Sequence, residues 1–272
     1  MEIEIRDDFD LIKIANSGQC FRVIEKSPGL FRFITGRHVV YIRKVSKLIF
    51  DVSCNRDEWE QVWSQYFDFE TNYAAIRGKI RKNDTFLAKA GAAGTGIRIL
   101  RQDPWETLIT FIISQRRSIP SIKNCVEQLS ANYGETVCTW CESLQFFPTP
   151  ESINNMTVAE LKECKLGYRI PYIQDAAQKV TSKEIDLLAL SSLGTQELLN
   201  KLMTIYGVGP KIANCVALFA YGRKEVVPID TWISKIIQSE YGGHNRLADY
   251  GAYSGVMQQY AFFDQTYERR QL

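Results

Sequence analysis

The chain has 272 residues, 45% of them hydrophobic, enough for a sizeable core in one large or two modest domains. Its 33 basic and 31 acidic residues leave a formal net charge of +2, so any nucleic-acid contact must come from a local patch and not from the chain as a whole. Seven cysteines at irregular spacing argue against a disulfide framework and fit a reducing cytosol. No signal peptide, membrane-length apolar run, internal repeat or low-complexity linker is expected.

Residues 1 to about 55 read as strands. Phe31-Arg32-Phe33-Ile34, Val39-Val40-Tyr41-Ile42 and Leu48-Ile49-Phe50-Asp51-Val52 are β-branched or aromatic runs, and Ser27-Pro28-Gly29 and Thr35-Gly36-Arg37 supply turns. Together they predict an antiparallel meander. Trp59, Val62, Trp63, Tyr66 and Phe67 then fall on one helical face, and from there the chain is helical, with Gly94-Thr95-Gly96 the expected boundary. The division is therefore an N-terminal domain over 1–96 and a helical domain over 97–272.

The helical part opens on Asp103-Pro104, an N-cap followed by a first-turn proline, with Trp105, Leu108, Ile109 and Ile112 as the core face. Ile122, Cys125, Val126 and Leu129 make the next. Between them, residues 114–118 form a polar turn carrying Arg116 and Arg117, whose commonest fate is a solvated loop. Cys138-x-x-Cys141 lacks a second pair, so two part-buried small residues are expected there and no metal. Thr157-x-x-Glu160 is a capping box. Tyr168-Arg169, an aromatic and a guanidinium at a helix junction, suits a wedge and a base-reading fork as well as it suits plain surface.

The most informative stretch is the hairpin at 198–221. Leu198, Leu199, Leu202, Met203 and Tyr206 recur at helical spacing, Gly207-Val208-Gly209 allows a tight reversal, and Pro210 stands where a new helix begins. The free N–H groups at that second start make an anion cradle suited to a DNA phosphate. Lys211 lies in its first turn, where the positive end of the dipole favours the neutral amine that acts as a nucleophile. Asp230 precedes the helical pattern from Thr231, a position that also suits a simple N-cap. A last helix is expected over about 251–263, with Gln258 and Phe262 on one face. Lys211 and Cys215 likewise share a face. For Cys215 and Phe262, spacing alone favours core packing; for Gln258 it favours solvent.

The hairpin, Lys211 and Asp230 resemble the helix-hairpin-helix, Gly/Pro, Asp signature of the DNA glycosylase superfamily, in which a lysine at the position of Lys211 marks the bifunctional members. The resemblance extends to the 8-oxoguanine DNA glycosylases through Ser17-Gly18-Gln19-Cys20-Phe21-Arg22, Leu100-Arg101-Gln102-Asp103-Pro104 and Leu166-Gly167-Tyr168-Arg169. It implies an α+β fold: an N-terminal antiparallel β domain followed by a two-lobed all-α domain with the active site between the lobes.

It also implies roles. Lys211 would attack the sugar C1′ and form a Schiff base, and Asp230 would position it and stabilise positive charge on the sugar. Gly18 would accept the N7 hydrogen of 8-oxoguanine through its carbonyl. Cys215 and Phe262 would sandwich the flipped base, and Gln258 would bond its Watson–Crick edge. Tyr168 would wedge into the duplex, Arg169 would read the opposite base, and Gly207 and Gly209 would hold phosphate.

Departures from the family pattern fall on the DNA face. Arg116 stands at the position of an asparagine that fills the vacated space, Ser121 at one of two cytosine-reading arginines, and Trp232 at a phosphate-contacting histidine. With only Arg169 retained, tolerance of partners other than cytosine is expected, while a strict cytosine preference would point to Arg116 or Arg117. No four-cysteine cluster is present near the C-terminus, which argues against the iron–sulfur branch.

The expected function is thus base-excision repair by a monomeric 8-oxoguanine glycosylase and abasic-site lyase. It would need no cofactor or metal and would act on double-stranded DNA, in the cytoplasm of a bacterial-type cell or in a eukaryotic nucleus. The alternatives are a glycosylase for another damaged base and a non-catalytic DNA-binding module.

Overall fold

A computed structural model describes residues 1–271, with side chains as far as Tyr267. The chain packs as two compact units: Met1–Arg101 together with the segment from Gly222 onward, and Gln102–Tyr221.

The first unit is built on a five-stranded antiparallel sheet in the order β1-β5-β4-β3-β2. Strands β2 (Ile24–Ser27), β3 (Leu30–Thr35), β4 (His38–Lys44) and β5 (Ile49–Val52) follow one another as the predicted meander. Thr35 pairs with His38 across the two-residue turn Gly36-Arg37, and the positive φ of Gly36 (52°) fits a tight hairpin. The meander acquires an edge that the sequence reading lacked: β1 (Glu2–Glu4) pairs with β5. Nor are the first 55 residues all strand and turn. Helix Leu11–Asn16 intervenes, its start capped by Asp10, which accepts from the Lys13 N–H at 3.0 Å.

Alternate residues of the sheet, including Phe31, Phe33, Val40, Ile42, Phe50 and Val52, face one core with Phe9, Trp59, Trp63 and Phe67. The two tryptophans come from helical residues 56–66, which include one π-helical stretch, Trp59–Trp63. Fully buried Arg98 is satisfied throughout. Its guanidinium bonds the carbonyls of Phe67, Asp8, Asp68 and Thr71 and the Asp7 carboxylate. The later segment is tied in by a second buried carboxylate, Asp68, which pairs with Arg101 and Lys224 at 2.7 Å each.

The second unit is helical but for a small hairpin of β6 (Thr136–Cys138) and β7 (Ser143–Gln145). That hairpin corrects the expectation for Cys138 and Cys141, which are exposed at its turn and not part-buried. Asp103 caps helix Pro104–Ile113 by accepting from the Glu106 N–H at 2.8 Å, and Thr157 and Glu160 form the predicted capping box. Helix Thr195–Leu202 is shorter than its apolar pattern implies. It ends on Met203, so Leu198 and Leu202 are buried while Tyr206, beyond its end, is 61% exposed. In the first unit, the last helix starts at Ser254 and not at 251, because Gly251 (φ 56°, ψ −119°) is non-helical, and it extends to Gln271.

Candidate active site and nucleic-acid interface

In the second unit, the hairpin turns at Gly207, whose φ of 78° suits glycine. A Cβ there would lie 2.3 Å from the Tyr172 ring, so the glycine also permits a close approach. Gly209 is the N-cap of helix Pro210–Phe219, and with Pro210 lacking an N–H, the next free donors point outward from the first turn. Lys211 is half-buried in that turn. Its Nζ donates to Ser114 Oγ at 3.4 Å and lies 5.3 Å from the centre of the Phe111 ring, which stacks in turn on Phe219. No carboxylate of its own unit, among the described residues, pairs with it. Cys215, one turn further on, is buried on the same helix.

The turn at 114–118 packs against the hairpin: Gln115 Nε2 donates to the Gly207 carbonyl at 3.4 Å. Arg116 is exposed, with a left-handed φ of 51°. Arg169 is only 5% exposed and donates to the carbonyls of Leu166 (3.3 Å) and Gln115. Burial holds its guanidinium below the ordinary arginine range, with the nearby charge of Arg117 adding to the effect. Tyr168 is 50% exposed, its ring centre 4.3 Å from the Arg169 guanidinium carbon, and Tyr172 and Tyr206 continue an edge-to-face row. Tyr172 escaped the sequence reading; its only signal was its place three residues beyond the tight Gly167–Arg169 turn.

In the first unit, Asp230 takes the N-cap role its position allows. One carboxylate oxygen accepts from the Ile233 N–H at 2.8 Å, and the other has no hydrogen bond among the described residues. Trp232, half-buried in the first turn of helix Thr231–Tyr241, carries Lys235 Nζ 5.2 Å from its ring centre. Gly18 (φ 77°) sits in a braced loop. Ser17 Oγ donates to the Ile14 carbonyl, and Gln19 Nε2 donates to Ser17 Oγ (2.9 Å) and to the Arg98 carbonyl (2.8 Å). Gln19 Oε1 accepts from the Leu100 N–H, and Gln259 Nε2 donates to the Ser17 carbonyl at 2.6 Å. The Gly18 loop is thereby fixed to the last helix. On that helix Gln258 is 4% exposed, against the solvent position its spacing suggested, and its Oε1 is buried without a partner; Phe262 is half-buried one turn later. Gln259 was not singled out from sequence, and Gln19 entered only as part of the stretch 17–22, without its bracing role.

The candidate residues thus form two groups, Lys211, Cys215, Arg116, Tyr168, Arg169, Gly207 and Gly209 in one unit, and Gly18, Asp230, Trp232, Gln258 and Phe262 in the other.

Residues 3–108 match the 8-oxoguanine DNA glycosylase N-terminal domain, and residues 109–251 match the HhH-GPD superfamily of base excision DNA repair proteins. The structure is similar to that of MBOgg1 in complex with a low-affinity DNA ligand (36% identity, TM-score 0.92, covering 99% of this chain and 95% of that one). It is similar also to the Clostridium acetobutylicum 8-oxoguanine glycosylase/lyase solved with double-stranded DNA containing cytosine opposite 8-oxoguanine (32% identity, TM-score 0.90, 100% and 98%). The N-glycosylase/DNA lyase of Saccharomyces cerevisiae is 35% identical over 159 residues, which is 54% of this chain but only 42% of that protein. The chain belongs to the HhH-GPD superfamily of base excision DNA repair proteins, in the branch that carries an 8-oxoguanine DNA glycosylase N-terminal domain.

Proposed function

We propose that this chain is a bifunctional enzyme that excises 8-oxoguanine from duplex DNA and then cleaves the strand at the resulting abasic site. The observation that carries the reading is Lys211: an amine in the first turn of the hairpin's second helix, held by a hydroxyl and an aromatic ring and not by an acid.

The target nucleotide leaves the stack, because its glycosidic bond cannot be reached inside the duplex. Lys211 Nζ bonds to C1′ as the C1′–N9 bond breaks; the electron pair departs with the base, which is protonated, while the amine gives up a proton. Opening of the sugar then gives a Schiff base. Loss of a C2′ proton expels the 3′ phosphate, and water releases the lysine. Asp230, with one oxygen committed to its cap and the other open, supplies negative charge while the sugar is cationic.

Recognition is assigned to the Gly18 carbonyl and Gln258. Guanine bears a lone pair at N7, the oxidised base a hydrogen, so a fixed carbonyl accepts from one and opposes the other. The buried, unpartnered Gln258 Oε1 suits the N–H groups of the purine Watson–Crick edge, with Cys215 and Phe262 as the stacking faces. The Gly207–Gly209 hairpin and Trp232 hold phosphate, Tyr168 enters the duplex, and Arg116 lies beside the vacated space. The protein acts as a monomer, wherever chromosomal DNA lies: the nucleoid of a bacterial-type cell, or a nucleus. No helix among the described residues is long and apolar enough to cross a membrane.

Borohydride should trap the wild-type protein covalently on 8-oxoguanine DNA, and Lys211→Gln should abolish trapping while retaining lesion binding through the hairpin N–H groups. Trapping of Lys211→Gln at the wild-type level would refute the assignment.

A further inference from the structure

A partner-base reader needs donors aimed at the base left behind when the lesion flips out. Ser121, one of the two positions where the family places them, has only a short hydroxyl. The structure puts another group there. Arg117 lies along helix Ile119–Tyr133, its Nη1 donating to Ser121 Oγ at 3.4 Å and to Cys125 Sγ, its Nη2 to the Lys165 carbonyl. Arg169 donates to the very next carbonyl, that of Leu166. Consecutive carbonyls therefore hold two guanidinium groups side by side, next to the exposed ring of Tyr168.

Two further observations give this pair a purpose. First, two like charges are brought together without a carboxylate: among the described residues neither arginine forms an ion pair, and the Arg169 Nε is buried without a partner. A guanidinium offers only donors, so those not already held by these acceptors suit a further group rich in acceptors. Second, the backbone on both sides of the notch is unusual. Arg116 (φ 51°) and Lys165 (φ 57°) are left-handed although neither is glycine, the kind of local strain that persists where the surroundings fix a functional geometry.

We propose that Arg117 supplies the second base-reading guanidinium, so that Arg117 and Arg169 together select cytosine opposite the lesion. This rests on the function proposed above. Of the four unpaired bases, cytosine alone presents two adjacent acceptors, O2 and N3, on its Watson–Crick edge. Guanine presents adjacent donors there, and adenine and thymine alternate. The short side chain of Ser121 leaves room for the Arg117 fork beside it, so the contact has moved four positions back along the chain, to the turn before the helix, and is not lost.

Single-turnover base release, read after alkaline cleavage so that lyase activity does not enter, tests this on duplexes with cytosine, adenine, guanine or thymine opposite 8-oxoguanine. The wild-type protein should favour cytosine by at least about tenfold, and Arg117→Ala should lower the cytosine-to-thymine rate ratio by about 10- to 100-fold, the loss of one bidentate contact. Arg117→Lys keeps the charge without the fork and should lower the ratio similarly. Partner-blind excision by the wild type, a ratio preserved in both variants, or a rescue by lysine that marks a phosphate contact would each overturn the role of Arg117 while leaving the glycosylase intact. No base release from any lesion duplex by the wild type would instead refute the underlying function, and this inference with it.

Discussion

On the function proposed above, Gln259→Leu should separate lesion reading from strand chemistry. The Gln259 amide donates to the Ser17 carbonyl at 2.6 Å, and both residues are buried. Leucine roughly preserves the packing volume but leaves the carbonyl unpaired, at a cost of about 1–3 kcal/mol. The loop keeps its Gln19 and Ser17 Oγ braces, so the protein should fold, with a midpoint lowered by about 2–4 °C per kcal/mol in a chain of this size. Gly18 follows directly on the unpaired carbonyl. If its own carbonyl is the acceptor for the N7 hydrogen, loosening it should slow 8-oxoguanine release by up to about 100-fold, the equivalent of that same 1–3 kcal/mol. On the function proposed above, cleavage of a duplex that already contains an abasic site uses Lys211 but no base recognition, and should fall by less than about threefold. Single-turnover rates on the two duplexes, with calorimetry on the same samples, decide the matter. A lowered melting midpoint with lesion release unchanged would mean that the Gly18 carbonyl is either not held by Gln259 or not the reader.

Gly207→Ala should weaken DNA binding and destabilise the protein by at least about 1–2 kcal/mol, because its φ of 78° is left-handed and its Cβ would overlap the Tyr172 ring; denaturant midpoints and filter binding measure both effects. For Asp7, burial acts to raise its carboxyl, but the Tyr73 and Ala74 N–H groups and Arg98 outweigh it and hold the group below the usual range. A depressed folded value stabilises the fold above the unfolded titration near about pH 4, and the benefit disappears as pH falls through the folded value. The gap in melting temperature between wild type and Asp7→Asn should therefore be widest near neutrality and close in acid; a gap constant from pH 7 to pH 2 would contradict this. Iodoacetamide at pH 8 should modify Cys138 and Cys141, which are exposed, well before Cys54 and Cys164, whose thiols burial pushes up to about 11; peptide mapping reads the order.

What could be read from the sequence was local. The β3–β4 turn, the Asp103 cap, the Thr157–Glu160 box and the Gly207 reversal each announce themselves within four residues, and each is present in the structure. What could not be read was long-range or depended on where a local pattern stops. Strand β1 is three residues long and gains its identity only by pairing with residues 49–51. The apolar spacing continues through Met203 and Tyr206 although the helix ends at Leu202, because the packing that would bury Tyr206 is absent and its ring meets Tyr172 instead. Gln259 and Ser17 are 242 positions apart, and nothing about either residue marks the bond between them. The same holds for Arg117. In sequence it is one of two arginines in a polar turn, and only the structure reveals its contact with Ser121, on which the role proposed above rests.

A net charge of +2 is compatible with gripping a polyanion because of how the two units treat their cations. In the first unit, Arg98, Arg101, Lys224 and Arg77 are all neutralised, by Asp7, Asp68 and Asp8. These pairs hold the fold together, and their charge is spent inside it. In the second unit Lys179 is likewise paired, with Asp175, but three cations are held differently: Lys211 by a hydroxyl and a ring, Arg117 and Arg169 by backbone carbonyls. Neutral acceptors orient a cation without cancelling it, so its field remains for an incoming phosphate, sugar or base edge. A total near neutrality therefore conceals two ways of holding a cation, ion pairs at the first unit's carboxylates and neutral acceptors around Lys211, Arg117 and Arg169. The DNA contact proposed above draws on that second group, more than on the count of basic residues.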